Sequence, residues 1–66
     1  MPSTVIDKFF YDADRRWLTV IFRSGKTYRY IDVPQDVYLS LGASISKGRY
    51  FNRKIRNVYS YKSLED

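Results

Sequence analysis

Trp17-Leu18-Thr19-Val20-Ile21-Phe22-Arg23-Ser24-Gly25-Lys26-Thr27-Tyr28-Arg29-Tyr30-Ile31 is the stretch on which the fold turns. Two runs of β-branched and aromatic residues flank Ser24-Gly25-Lys26, and Gly25 can take the positive φ that a hairpin loop needs. The pattern predicts two antiparallel strands. In the first, Leu18, Val20 and Phe22 point one way and Trp17, Thr19 and Ile21 the other. Both faces are apolar, so something is expected to cover part of each. In the second, Tyr28 and Tyr30 share a face opposite Thr27, Arg29 and Ile31.

Working upstream, Val5 to Tyr11 has the same strand-like composition, and polar Asp12 to Arg16 makes a turn between the two runs. Downstream, the pattern changes at Asp32-Val33-Pro34. Pro34 suits a first helical position, and Asp36 in the first turn favours the helix dipole. Val37, Tyr38, Leu41 and Ile45 follow helical spacing, with Gly42 weakening the helix. Ser46 and Gly48 interrupt it, and Ser46 is a candidate N-cap for a second helix. There Phe51, Ile55 and Val58/Tyr59 lie on one face, and Arg49, Arg53, Lys54 and Arg56 lie mostly off it. Tyr59 to Asp66 is expected to be extended or frayed. The expected fold is α+β: a three-stranded antiparallel meander followed by two short helices packed on the sheet, as one domain over residues 1–66.

A chain of 66 residues supports only a thin core. It holds no Cys and no His, which excludes disulfides and the usual structural zinc sites. Its seven Tyr, four Phe and one Trp are the material left for a core or a dimer interface. No apolar run reaches a membrane span and no export signal is visible, so the expectation is a cytoplasmic protein without a membrane partner. The net charge is +5 and unevenly placed. Residues 1–39 hold six basic and five acidic side chains, whereas residues 40–66 hold six basic and two acidic, both acids at the end. Such asymmetry suggests an anionic partner, although a charge of this size also serves solubility.

Several motifs are weaker than they look. Gly25-Lys26-Thr27 resembles the end of a phosphate-binding loop, but the upstream glycine is absent and a strand follows, so it reads as a hairpin turn. Asp12 and Asp14 lack the distal ligands of a calcium loop and read as turn formers. Without His or Cys the common general bases and activated nucleophiles are missing, so no catalytic residues, metal or cofactor are assigned and no enzyme is expected.

Ser46-Lys47-Gly48-Arg49 has another character. At a helix start, free N–H groups, the close approach allowed by Gly48 and nearby cations suit phosphate, which makes Ser46 and Gly48 a phosphate-binding candidate. The plain alternative is a cap and a bend. Between Ser46 and Lys62 six cations stand without an acid, interleaved with Tyr50, Tyr59 and Tyr61. Cations contact phosphates and aromatic faces stack on unpaired bases. The alternative is a solvated helix whose tyrosines anchor it to the sheet.

The order of these elements resembles a known family. Tyr11-Asp12 is followed by Leu18-x-Val20-x-Phe22-x-x-Gly25-x-x-Tyr28-x-Tyr30, then Val33-Pro34-x-x-Val37-Tyr38, then Ser46-x-Gly48-x-Tyr50-Phe51-Asn52-x-x-Ile55-Arg56-x-x-Tyr59. From about Ser3 to Leu64 the chain resembles the KTSC domain family, named after the C-terminal end of some lysyl-tRNA synthetases. Members of that family also stand alone as small bacterial and phage proteins. The family's function is not established, and the synthetase context implies RNA binding. Its signature segment coincides with Ser46 to Asn52, where Gly48 would serve a bend, Phe51 and Ile55 packing, and Asn52 a backbone hydrogen bond.

The expectation is therefore a binding module for nucleic acid, RNA before DNA. Lys47, Arg49, Arg53, Lys54 and Arg56 would contact phosphates, and Tyr28, Tyr30, Tyr50 or Tyr61 would offer stacking faces where exposed. The rival expectation is a protein-interaction module, such as a homodimer, resting on the two apolar faces of the middle strand.

Overall fold

The computed structural model describes residues 6–64. Val5, expected to open the first strand, lies outside the described residues, as do Met1 to Thr4, Glu65 and Asp66. Strand β1 spans Ile6–Asp12, β2 Trp17–Phe22 and β3 Thr27–Tyr30. Helix α1 (Gln35–Ala43) and helix α2 (Lys47–Lys54) follow, and a short strand β4 (Tyr61–Ser63) closes the chain. The sheet is antiparallel in the order β1-β2-β3-β4, so the meander has four strands and not three. The tail read as extended or frayed pairs with β3, Tyr61 opposite Tyr30 and Ser63 opposite Tyr28.

The turns follow from local chemistry. The Asp12 carboxylate accepts from the Asp14 and Arg15 backbone N–H groups, which closes the β1–β2 turn. Gly25 takes φ 97° in the β2–β3 loop, which the Gly25 and Phe22 N–H groups tie to the Phe22 and Lys26 carbonyls. The Val33 N–H then donates to the Arg16 carbonyl and anchors the start of the helical half to the first turn.

Pairing places Phe9, Tyr11, Leu18, Val20, Tyr28, Tyr30 and Tyr61 on one face, and both helices pack there. Leu18, Val20, Val33, Leu41 and Ile55 are fully buried. Tyr38 of α1 stacks on Tyr11 at 4.9 Å and meets Phe9 edge-on. Phe51 of α2 meets Phe22 and Tyr30 edge-on at 5.4 and 5.3 Å. The Tyr11 hydroxyl donates to the Val33 carbonyl at 2.6 Å. Among the described residues the helices cover only this face, and the part of the other face that is covered lies under arginine side chains. Opposite, Trp17 is half-buried under the guanidinium groups of Arg29 and Arg15, 4.0 and 5.3 Å from its ring, while Phe10 is 56% exposed.

Three expectations about the helices need correction. Pro34 stands at the N-cap with extended backbone, and the first helical residue is Gln35. The first helix ends at Ala43, leaving Ile45 fully exposed instead of on its apolar face. The second helix ends at Lys54, Asn57 turns the backbone at φ 68°, and Val58 faces outward. A left-handed residue three positions past the last helical turn redirects the chain toward β4 and ends the spacing that Val58 would have continued.

Candidate nucleic-acid interface

The two ends of helix α2 carry groups that suit them. Ser46 is its N-cap, accepting from the Arg49 N–H at 3.4 Å, and Arg53 and Lys54 lie in its last turn where cations suit the dipole. Gly48 and Phe51 are buried beneath it. Gly48 therefore sits inside the first helical turn, and the bend lies before it at Ser44 to Ser46. The Ser46 hydroxyl already serves the helix start, and Gly48 presents no open surface to a phosphate. Lys47 donates to the Ser44 carbonyl at 3.4 Å.

The remaining cations divide by helical geometry. Arg49 and Arg53 are one turn apart, as are Tyr50 and Lys54, and these four with Ile45 and Ser46 line a hollow of about 390 Å³. Asn52 and Arg56 are also one turn apart, on another flank, and they line a larger groove of about 580 Å³. The Arg56 guanidinium donates to the Asn52 carboxamide oxygen at 3.3 Å, so Asn52 serves Arg56 and not the backbone bond expected of it.

The larger groove joins parts far apart in sequence. Phe22, Arg23, Ser24 and Lys26 come from the hairpin, Tyr28 and Tyr30 from β3, Phe51, Asn52, Arg56 and Asn57 from α2 and the turn after it, and Tyr61 from β4. No carboxylate stands among these lining residues. Both ion pairs found among the described residues lie elsewhere, at Arg15–Asp12 and Arg16–Asp32. The rings brace one another: Tyr28 meets Phe22 and Tyr61 edge-on, and Tyr30 lies against Phe51 and Tyr61.

Among the tyrosines named as stacking faces, Tyr61 is 59% exposed, Tyr28 and Tyr50 are half-buried, and Tyr30 is 3% exposed. Tyr30 is therefore core and does not offer a stacking face. Burial, seconded by the Tyr61 phenol, pushes its hydroxyl up to about 12, while Arg56 pulls it back and Tyr28 adds to the rise. Sequence reasoning missed Arg23, Lys26 and Asn57. The first two flank the hairpin glycine, a signal for a turn but not for what packs beside it.

The KTSC domain model matches residues 2–59 of the chain. A lysine–tRNA ligase of Nostoc punctiforme is 36% identical over 62 residues, which cover 94% of this chain and 11% of the ligase. An uncharacterized protein of Stutzerimonas stutzeri is 38% identical over 53 residues, covering 80% of this chain and 75% of that protein. The crystal structure of a KTSC domain protein from Yersinia pestis superimposes with a TM-score of 0.91 at 31% identity, covering 98% of this chain and 92% of the other. The chain thus spans about a tenth of the ligases it matches and nearly all of the Yersinia domain.

Proposed function

The chain belongs to the KTSC domain family, and from that premise we propose that it is a non-enzymatic, cytoplasmic nucleic-acid-binding module whose partner is RNA. One observation carries the reading. Helix α2 and the turn after it hold Arg49, Arg53, Lys54 and Arg56 exposed, outside the ion pairs found among the described residues, beside two hollows that contain tyrosines. Exposed cations beside aromatic rings suit a single-stranded phosphate backbone with unstacked bases. The name of the Nostoc relative, a lysine–tRNA ligase, supports RNA over DNA. No helix of the described residues is long and apolar enough to cross a membrane.

Binding to labelled single-stranded RNA, tRNA and duplex DNA across salt tests the proposal. The wild type is expected to prefer RNA, with affinity falling steeply as salt rises. Replacing Arg53, Lys54 and Arg56 by Ala should flatten the slope by about two to three, since each phosphate that is no longer neutralised lowers it by roughly 0.7–0.9. A triple variant that binds like the wild type would remove this surface from the reading. No binding at low salt would remove RNA, and recovery of the protein outside the cytoplasmic fraction would correct the location.

A second reading, self-association, is favoured by the sheet face that neither α1 nor α2 covers, where Phe10 is exposed and Trp17 and Ile21 are half-buried. Sedimentation at rising concentration decides it. A monomer throughout sinks it.

A further inference from the structure

We infer that the groove between the β2–β3 hairpin, β4 and the turn after α2 takes one unpaired nucleotide, its phosphate held by Arg56 and its base laid against Tyr61. The inference rests on the nucleic-acid reading and narrows it to a unit of the ligand and a place on the surface.

Size comes first. About 580 Å³ falls within the roughly 300–1,000 Å³ of small-molecule sites, and a base paired and stacked in a duplex cannot enter such a groove. Charge comes second. Arg23, Lys26 and Arg56 all line it without a carboxylate among the lining residues, so the ligand carries negative charge. Arg56 is already oriented by Asn52, and a guanidinium presents a two-pronged donor that matches phosphate oxygens.

An aromatic ring beside the cations distinguishes a nucleotide site from one for a bare anion. Tyr61 lies 5.3 Å from Tyr28 and 5.4 Å from Tyr30, so its ring has neighbours that hold it in place while the residue as a whole stays exposed. A fixed, exposed aromatic ring beside cations is a stacking platform for a base. Asn57 and the amide nitrogen of Asn52 add donors, and Asn57 an acceptor, suited to the edge of a base. Phosphate alone would leave this half of the groove unused.

The test is a titration of isotope-labelled protein with adenosine and uridine 5′-monophosphates, followed by backbone amide NMR. Inorganic phosphate, adenosine and O-phosphotyrosine are the comparison probes. The nucleotides should shift the amides of Asn52, Arg56, Asn57 and Tyr61 in a saturable way, and each comparison probe should bind at least about tenfold more weakly. Arg56→Gln, at an exposed position, should weaken nucleotide binding about tenfold or more while keeping the folded spectrum. Lys8→Gln, across the sheet, should leave it unchanged.

Equal affinity for phosphate would overturn the base contact, and equal affinity for phosphotyrosine would overturn the nucleotide. Shifts centred on Arg49 and Arg53, or none at about 10 mM, would overturn the groove. The two readings fail separately. RNA binding without nucleotide shifts in the groove rejects the groove and keeps the RNA reading. Nucleotide binding in the groove without oligomer binding rejects RNA and keeps a mononucleotide site.

Discussion

Tyr30 shows how a single side chain joins core to candidate site. Its ring is buried between Phe51 and Tyr61, and its hydroxyl ionises only near 12, against 10.0 for a free phenol. Because the unfolded chain releases this proton first, the contribution of the neutral phenol is intact below pH 10 and is lost as pH rises toward 12. Stability is expected to fall by roughly 2–3 kcal/mol across that window. Urea unfolding at constant ionic strength measures it, and Tyr30→Phe should remove that part of the fall; equal falls in both proteins would place its source elsewhere. The strand alternation already set Tyr28 and Tyr30 apart from Arg29, because successive side chains on a strand point to opposite faces. That Arg29 would stack on Trp17 while Tyr30 sinks under Phe51 depended on which face the helices chose.

Among the elements, two glycines in different backbone conformations predict opposite responses. Gly42 lies inside α1, and a methyl group there would meet only the Phe9 ring at 3.9 Å, an ordinary contact. Gly42→Ala should therefore stabilise the domain by about 0.4–1 kcal/mol through helix propensity and a stiffer unfolded chain. Gly25 has open space around it but φ of 97°, so Gly25→Ala should cost roughly 1–2 kcal/mol from backbone strain alone. Thermal unfolding of the two variants checks both signs, and a shift in the same direction for both would refute the assignment. Strands β1 to β3 and the cap at Ser46 were legible because hydrophobic period and turn residues are local signals. Strand β4 was not. Three residues, Tyr61, Lys62 and Ser63, carry no period of their own and become a strand by pairing with the free edge of β3.

For the whole molecule the thin core is the governing fact. Domains have about 0.05–0.15 kcal/mol of stability per residue, which for this length is roughly 3–10 kcal/mol. Phe51 is the ring that joins α2 to both β2 and β3, and Phe51→Ala should cost about 3–5 kcal/mol. The variant is expected to be largely unfolded near physiological temperature, with loss of cooperative melting by circular dichroism as the readout. A cooperative melt within a few degrees of wild type would mean that Phe51 is not central to the core. Composition, strand alternation and helix spacing were enough to determine an α+β domain, its first three strands, the helix cap and the basic character of α2, because each depends on residues within a turn or two of one another. Tertiary packing decided the rest. It put both helices on one sheet face, buried Tyr30, left Tyr61 open, and brought Arg23 and Lys26 to the same groove as Arg56. Those pairings join residues far apart in the chain, and the free energy that selects them comes from burying apolar surface across elements, which no local stretch of sequence expresses.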